Sequence, residues 1–285
     1  MSNSTASGSD NGLTGGIYTS NACLDLTLVS VFTTIASYNV IELLILCFTR
    51  FKRKDVYFWT LLVATLGIIP YNLGFILKLS SVVHNNNISL TLTSIGWYCM
   101  VTGQSMVLWS RLHLLIRSRQ LLRGVLYMIV VDAFVLHVPT TVLAFGANSP
   151  THPQMFVNGY EIMERIQLIG FFIQETLLSV LYICKTVEFL KTHVRNRYWG
   201  ILHQLLVINI LIILMDASFV AVQYSGYYEI QVTLKALVYS VKLKLEYAIL
   251  GKLVKAVNAQ RKTTGSYCDT DRTDRTDRTD KSSIP

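Results

Sequence analysis

The chain has 285 residues, of which 52% are hydrophobic and 15% charged. Soluble domains carry about 25% charged residues, and here the apolar residues come in long blocks, which argues against one large soluble core and for a polytopic membrane protein. The formal net charge is +8, but the basic residues cluster briefly between apolar blocks, so the balance reflects topology and not a nucleic-acid partner.

Residues 1–23 are rich in Ser, Thr, Asn and Gly and hold no Lys or Arg. They predict a disordered tail without the basic start of a cleavable signal peptide. The sequon Asn3-Ser4-Thr5 makes Asn3 a candidate glycosylation site. Seven apolar blocks follow over 24–254: Leu24–Phe48, Val56–Leu79, Leu90–Ile116, Gly124–Phe145, Ile162–Leu190, Gly200–Tyr224 and Ile230–Val254. A helix rises about 1.5 Å per residue against a hydrocarbon core of about 30 Å, so each block is long enough to cross. The expected fold class is all-α, a bundle of seven transmembrane helices. The five cysteines fit no metal spacing and no disulfide framework; they read as small packed hydrophobes.

The connections set the orientation. Arg50, Lys52, Arg53 and Lys54 follow the first block, Arg117, Arg119 and Arg123 the third, and Lys191, Arg195 and Arg197 the fifth; Lys252 stands at the end of the seventh, with Lys255, Arg261 and Lys262 after it. The alternate connections, 80–89, 146–161 and 225–229, carry no Lys or Arg. The positive-inside rule therefore places the N-terminus outside or in a lumen and the C-terminus in the cytosol, in a multi-pass protein. The sequon Asn87-Ile88-Ser89 then falls in an outer loop and makes Asn87 a second candidate for glycan. Pro150 and Pro153 predict an irregular loop over 146–160. Pro70 and Pro139 lie inside helices and free the carbonyls of Leu66 and Val135. Residues 255–285 form a second disordered tail, ending in a repeated Thr-Asp-Arg unit.

The seventh block carries Lys235, Lys242, Lys244 and Glu246. Lys242 falls near mid-membrane, where a bare ammonium costs at least roughly 2.5–3.5 kcal/mol. Glu246, four residues on, shares its face and is the nearest partner by spacing. Glu42, Asp132, Glu175 and Asp216 could also turn toward it and make the lysine the positive hub of a buried acidic network. Lys244 points away and can snorkel toward the inner surface.

Other helices carry polar residues at helical spacing: Asn39 and Glu42; Gln104 and Arg111, with Trp97; Glu164, Gln167, Gln174 and Glu175; Asn209, Asp216 and Gln223; and Asp132 with His137. Lipid cannot satisfy these groups, so these faces turn inward. They act as interhelical glue, or they line a pocket for a ligand, substrate or proton. If the pocket is catalytic, Glu175 and Asp216 are the candidate general acids. No metal-ligand spacing, phosphate loop or nucleophile elbow occurs, and His137 is isolated; neither a metal nor a cofactor is implied. The topology is also that of a receptor, but Ser110-Arg111-Leu112 lacks the preceding acid of the rhodopsin-like motif, and Tyr239-Ser-Val-Lys-Leu replaces Asn-Pro-x-x-Tyr.

Four runs carry a resemblance: Tyr98-Cys-Met-Val-Thr-Gly-Gln-Ser-Met-Val-Leu-Trp-Ser-Arg-Leu-His113, His137-Val-Pro-Thr-Thr-Val-Leu-Ala-Phe-Gly-Ala-Asn148, Gly170-Phe-Phe-Ile-Gln-Glu175 and Tyr239-Ser-Val-Lys-Leu-Lys-Leu-Glu-Tyr-Ala-Ile-Leu-Gly-Lys252. They resemble a family of filamentous-fungal seven-helix membrane proteins of unassigned biochemistry, some similar to the membrane proteins of indole-diterpene toxin clusters of the paxilline and lolitrem type. The resemblance spans roughly residues 24–258. It implies a role in fungal specialised metabolism at an internal membrane such as the endoplasmic reticulum, with a terpenoid or other hydrophobic small molecule as ligand. Small seven-helix terpene cyclases of such pathways use intramembrane acids, which makes acid-assisted terpenoid cyclisation the expected chemistry by analogy. A receptor or sensor, and a non-catalytic scaffold for pathway enzymes, are the alternatives.

Overall fold

The computed structural model describes residues 22–50, 56–79, 86–115, 118–148, 153–193, 199–224 and 231–251. Asn3, most of the first expected tail and all of the second, with its Thr-Asp-Arg repeat, lie outside these residues. Among the described residues there are seven helices and no strand: α1 (Ala22–Arg50), α2 (Val56–Leu79), α3 (Asn86–Leu115), α4 (Arg119–Ala147), α5 (Pro153–His193) and α6 (Trp199–Gln223), followed by α7 (231–251). Five of them contain segments long and apolar enough to cross a membrane: Leu26–Thr49, Val56–Lys78, Arg119–Ala147, Met155–Glu188 and Leu206–Gln223. The other two, α3 and α7, are set apart by their polar and charged residues.

Contacts near the helix ends show that successive helices run antiparallel. Phe48 packs edge-on against Phe58, and the Trp109 indole donates to the Leu122 carbonyl at 2.9 Å. Phe156 lies against Gly146, and Gln231 donates to Gln223. α7 is the most enclosed helix, with only Ala248 and Gly251 exposed among its described residues.

The outward faces are as apolar as any protein interior. On α2, Val56, Trp59, Val63, Leu66, Ile69, Leu73 and Ile76 are exposed at three- and four-residue spacing, while Tyr57, Leu61, Ala64, Ile68, Tyr71 and Phe75 between them are buried. α5 repeats the pattern with Ile162, Ile166, Ile169, Ile173, Leu177 and Val180. Exposed apolar surface of this extent is unstable in water and marks a lipid-facing exterior. The interior holds the polar residues instead: Gln104, Arg111, Glu164, Gln167, Gln174, Glu175, Asn209, Asp216, Lys235, Lys242 and Glu246 are all buried.

The most extensive helix contact joins α2 and α3, and small residues make it possible. Gly67 and Gly74 on α2 face α3, while Gly96 and Gly103 on α3 face α2. A Cβ on Gly67 would lie 2.7 Å from that of Cys99, and one on Gly103 would lie 2.7 Å from that of Ala64. With no hydrophobic drive between helices in lipid, close backbone approach through small residues is a principal source of association.

Three expectations fail at helix starts. α5 begins at Pro153, so most of 146–160 is helical and not an irregular loop; Pro is tolerated in the first turn, where its missing N–H is not needed. α4 begins at Arg119 and not at Gly124, because Leu122 already packs with Leu108, Leu112 and Val125. α3 begins at Asn86, so Asn87 is exposed in its first turn and not in a loop. The Ser89 hydroxyl of that sequon is buried and donates to the Gly74 carbonyl.

Gly103 and Gly124 give opposite expectations for the same substitution. Gly103→Ala forces α2 and α3 apart and costs roughly 1–3 kcal/mol. A Cβ on Gly124 meets nothing within 4 Å, so Gly124→Ala leaves stability unchanged or raises it by up to about 1 kcal/mol. Thermal unfolding of the detergent-purified variants checks this; equal melting temperatures for the two would contradict the close α2–α3 seam.

Candidate functional site

Ionisable residues on α7 recur at two-turn spacing. Lys235 and Lys242 are seven residues apart and Glu246 lies four beyond, so all three sit on one face, about 10.5 Å and then about 6 Å apart along the axis. Each meets an opposite charge from another helix, which builds a ladder of buried ion pairs through the bundle.

At the first rung, Lys235 Nζ lies 2.6 Å from Glu164 Oε1 of α5. The ammonium also stands over the Trp97 ring, 4.9 Å from its centroid. Gln231 donates to the same Glu164 oxygen at 3.3 Å. At the second rung, Lys242 reaches both Glu175 of α5 and Asp216 of α6, with 2.6 Å to Asp216 Oδ1. The Tyr239 hydroxyl donates to Glu175 Oε1 at 3.3 Å, and its ring lies 4.6 Å beneath the ammonium. At the third rung, Arg111 of α3 pairs with Glu246, both fully buried. The Arg111 guanidinium stacks 4.9 Å over the Tyr182 ring.

The structure brings together some of the sequence-derived candidates and separates others. Glu175, Asp216 and Lys242 form one cluster. Glu246 does not pair with Lys242; it turns to Arg111, which its position four residues along α7 brings to the level of the C-terminal part of α3. Lys244 is partly exposed and has partners of its own. It donates to Asn39 Oδ1 at 2.9 Å and to Glu42 Oε2 at 2.5 Å, so Glu42 belongs to this side branch and not to the Lys242 cluster. Asp132 is half-buried on α4 and makes no ion pair among the described residues. It lies at the flank of the buried face of α4 that Ile129, Leu136 and His137 define. His137 is a separate node: Nδ1 meets Gln167 Nε2 at 2.9 Å, Nε2 meets the Thr102 hydroxyl at 3.1 Å, and the ring lies between Tyr98 and Phe171. Among the described residues no three His, Cys, Asp or Glu side chains converge as a metal site.

Two cavities border the ladder. A cleft of about 80 Å³ lies where α2 and α4 end and α3, α5 and α7 begin. Tyr71, Phe75, Trp97 and Tyr98 supply aromatic wall, and the Lys235–Glu164 pair and Gln167 supply polar groups. Sequence reasoning missed this cleft, since its residues come from five helices and no single stripe marks it. A smaller space of about 20 Å³ lies beside Glu175 and Asp216, walled by Phe171, Phe172, Phe219 and Tyr239. Trp97 lines both and packs edge-on against Tyr239.

Lys242→Met and Lys244→Met distinguish a buried charge from a peripheral one. The first leaves two carboxylates without their cation and costs about 3–5 kcal/mol. The Lys244 side chain is 27% exposed and its Glu42 partner 40%, so the second costs about 1 kcal/mol or less. The yield of monodisperse protein and its melting temperature check this; equal tolerance of both changes rejects Lys242 as a structural hub.

Residues 14–269 match a family model described as Domain of unknown function (DUF7703). No curated protein and no solved structure matches the chain. The family match takes in all seven described helices, the ladder and both cavities, and the chain belongs to the DUF7703 family.

Proposed function

We propose that the chain is a seven-span integral membrane protein that binds a hydrophobic small molecule of the terpenoid class in the cleft. α3 and α7 join the five apolar helices as spans because their charges are answered inside the bundle and screened from lipid. The positive-inside pattern supports a lumenal N-terminus, a cytosolic C-terminus and a cleft that opens on the lumenal side of an internal membrane.

The observation that carries the ligand reading is the cleft's composition. Aromatic rings and aliphatic groups share its wall with nine polar or charged residues, among them the Lys235–Glu164 pair and Gln167. That combination holds small molecules by apolar burial and orients them by a few hydrogen bonds. The terpenoid class and a setting in fungal specialised metabolism, of the indole-diterpene type, rest on the resemblance of the four runs. Those runs contain Gln104, Arg111, His137, Glu175, Lys242 and Glu246.

One observation favours a second reading, acid-assisted cyclisation at Glu175 and Asp216. The space beside these carboxylates is walled by aromatic rings, whose faces stabilise a passing carbocation. At about 20 Å³ it has room for one water, so a substrate would enter it from the cleft only after Trp97 moves.

Trp97 provides the readout for binding. In lipid nanodiscs, an indole-free diterpenoid should change tryptophan emission saturably, and Trp97→Phe should remove the change. Ser94→Trp fills the cleft from its wall and should weaken binding at least about tenfold, or 1.4 kcal/mol. A signal that survives Ser94→Trp in folded protein rejects the cleft as the site. Incubation in microsomes with an epoxidised prenyl-indole tests the second reading; saturable binding with unchanged substrate removes the cyclase and leaves the binding protein.

A further inference from the structure

We propose that the Glu175–Lys242–Asp216 cluster is a proton-binding site that holds one proton between its two carboxylates. The reasoning starts from a count of charges. Among the described residues the buried acids are Glu164, Glu175, Asp216 and Glu246, and the buried permanent cations are Arg111, Lys235 and Lys242. The first and third rungs are matched one to one. The second rung sets two carboxylates against one ammonium, so the unmatched negative charge resides there.

Among the described residues no neighbouring group cancels it. On α7, Lys242 is already counted and Tyr239 is a neutral donor to Glu175. α6 contributes Asp216 and the apolar Phe219. On α5, Gln174 turns away to donate to Ser105 of α3 at 2.8 Å. α3 faces this level with Trp97, and its Arg111 is engaged by Glu246. Lys244 is committed to Glu42. His137 is engaged at both ring nitrogens by Gln167 and Thr102, neither of which belongs to the cluster.

An uncompensated charge at this depth is expensive, and the cluster's geometry selects what can neutralise it. A metal ion needs several oxygen ligands. The adjoining space offers only the two carboxylates and the Tyr239 hydroxyl, and is otherwise apolar. A proton needs one lone pair. Glu175 and Asp216 are both held on the one Lys242 ammonium, which sets the two carboxylates side by side, so a proton can sit on either while Lys242 donates to both. Binding converts one carboxylate to a carboxylic acid, and no other bond changes. The site does not depend on what occupies the cleft.

Infrared spectroscopy of the full-length protein in lipid tests the site directly. At neutral pH the wild type should show the carbonyl stretch of a protonated carboxylic acid, shifted in heavy water. Glu175→Gln and Asp216→Asn should each abolish it, because one carboxylate then balances one ammonium. Asp132→Asn, which alters an acid outside the ladder, should leave it in place. A wild-type spectrum without the band, in the presence or absence of sodium, overturns the proposal without needing any variant to fold. Persistence of the band in both Glu175→Gln and Asp216→Asn overturns it as well, by placing the proton elsewhere.

Discussion

Lys242 puts an ammonium where there is no water to solvate it. In lipid that charge is tolerable only with carboxylates held at hydrogen-bond distance, and these come from α5 and α6. The two helices must therefore stand on either side of α7 and at fixed heights along it. The same demand recurs at Lys235 and at Glu246, which fix α5 a second time and α3 once. Apolar packing alone sets no such register, because a greasy helix can slide along another at little cost. The ladder supplies the vertical registration of the bundle, and the glycine contacts between α2 and α3 supply its close lateral packing.

The cleft and the ladder are physically continuous. Glu164 and Lys235 belong to both, and Trp97 separates the cleft from the Lys242 cluster while touching Lys235 and Tyr239. Tyr239 in turn donates to Glu175. A molecule seated in the cleft thus presses on groups that are one contact away from the buried charges. This short chain of contacts links one end of the bundle to the charges at its middle.

Helix periodicity made the inward faces legible. Residues at three-, four- and seven-residue spacing, from Gln104 and Arg111 to Asn209, Asp216 and Gln223, do turn inward as their shared stripes require. What periodicity cannot give is height and tilt relative to another helix. That is why Glu246 looked like the partner of Lys242, its neighbour in sequence, when the structure gives it to Arg111. Nothing in the helix of Lys244 announces its partners Asn39 and Glu42 either. Asp132 shows the limit from the other side: one ionisable residue on a helix does not define a face, and its half-buried position follows from where Leu136 and His137 pack. Helix starts at Asn86, Arg119 and Pro153 were hidden for a different reason. The polar or proline-containing turns that open these helices look like loop, and only contacts such as Ser89 to Gly74 hold them in helical form.

The position of the charges on the last helix has a consequence for biosynthesis. A chain made from its N-terminus completes α3, α5 and α6 before α7 exists. Until the ribosome passes residue 251, Arg111, Glu164, Glu175 and Asp216 have no final partners. The nascent protein is thus an assembly intermediate with charges waiting inside it. Completion of the seventh helix is the event that closes the structure, and a truncated copy lacking it exposes intramembrane charge as a mark of an unfinished product.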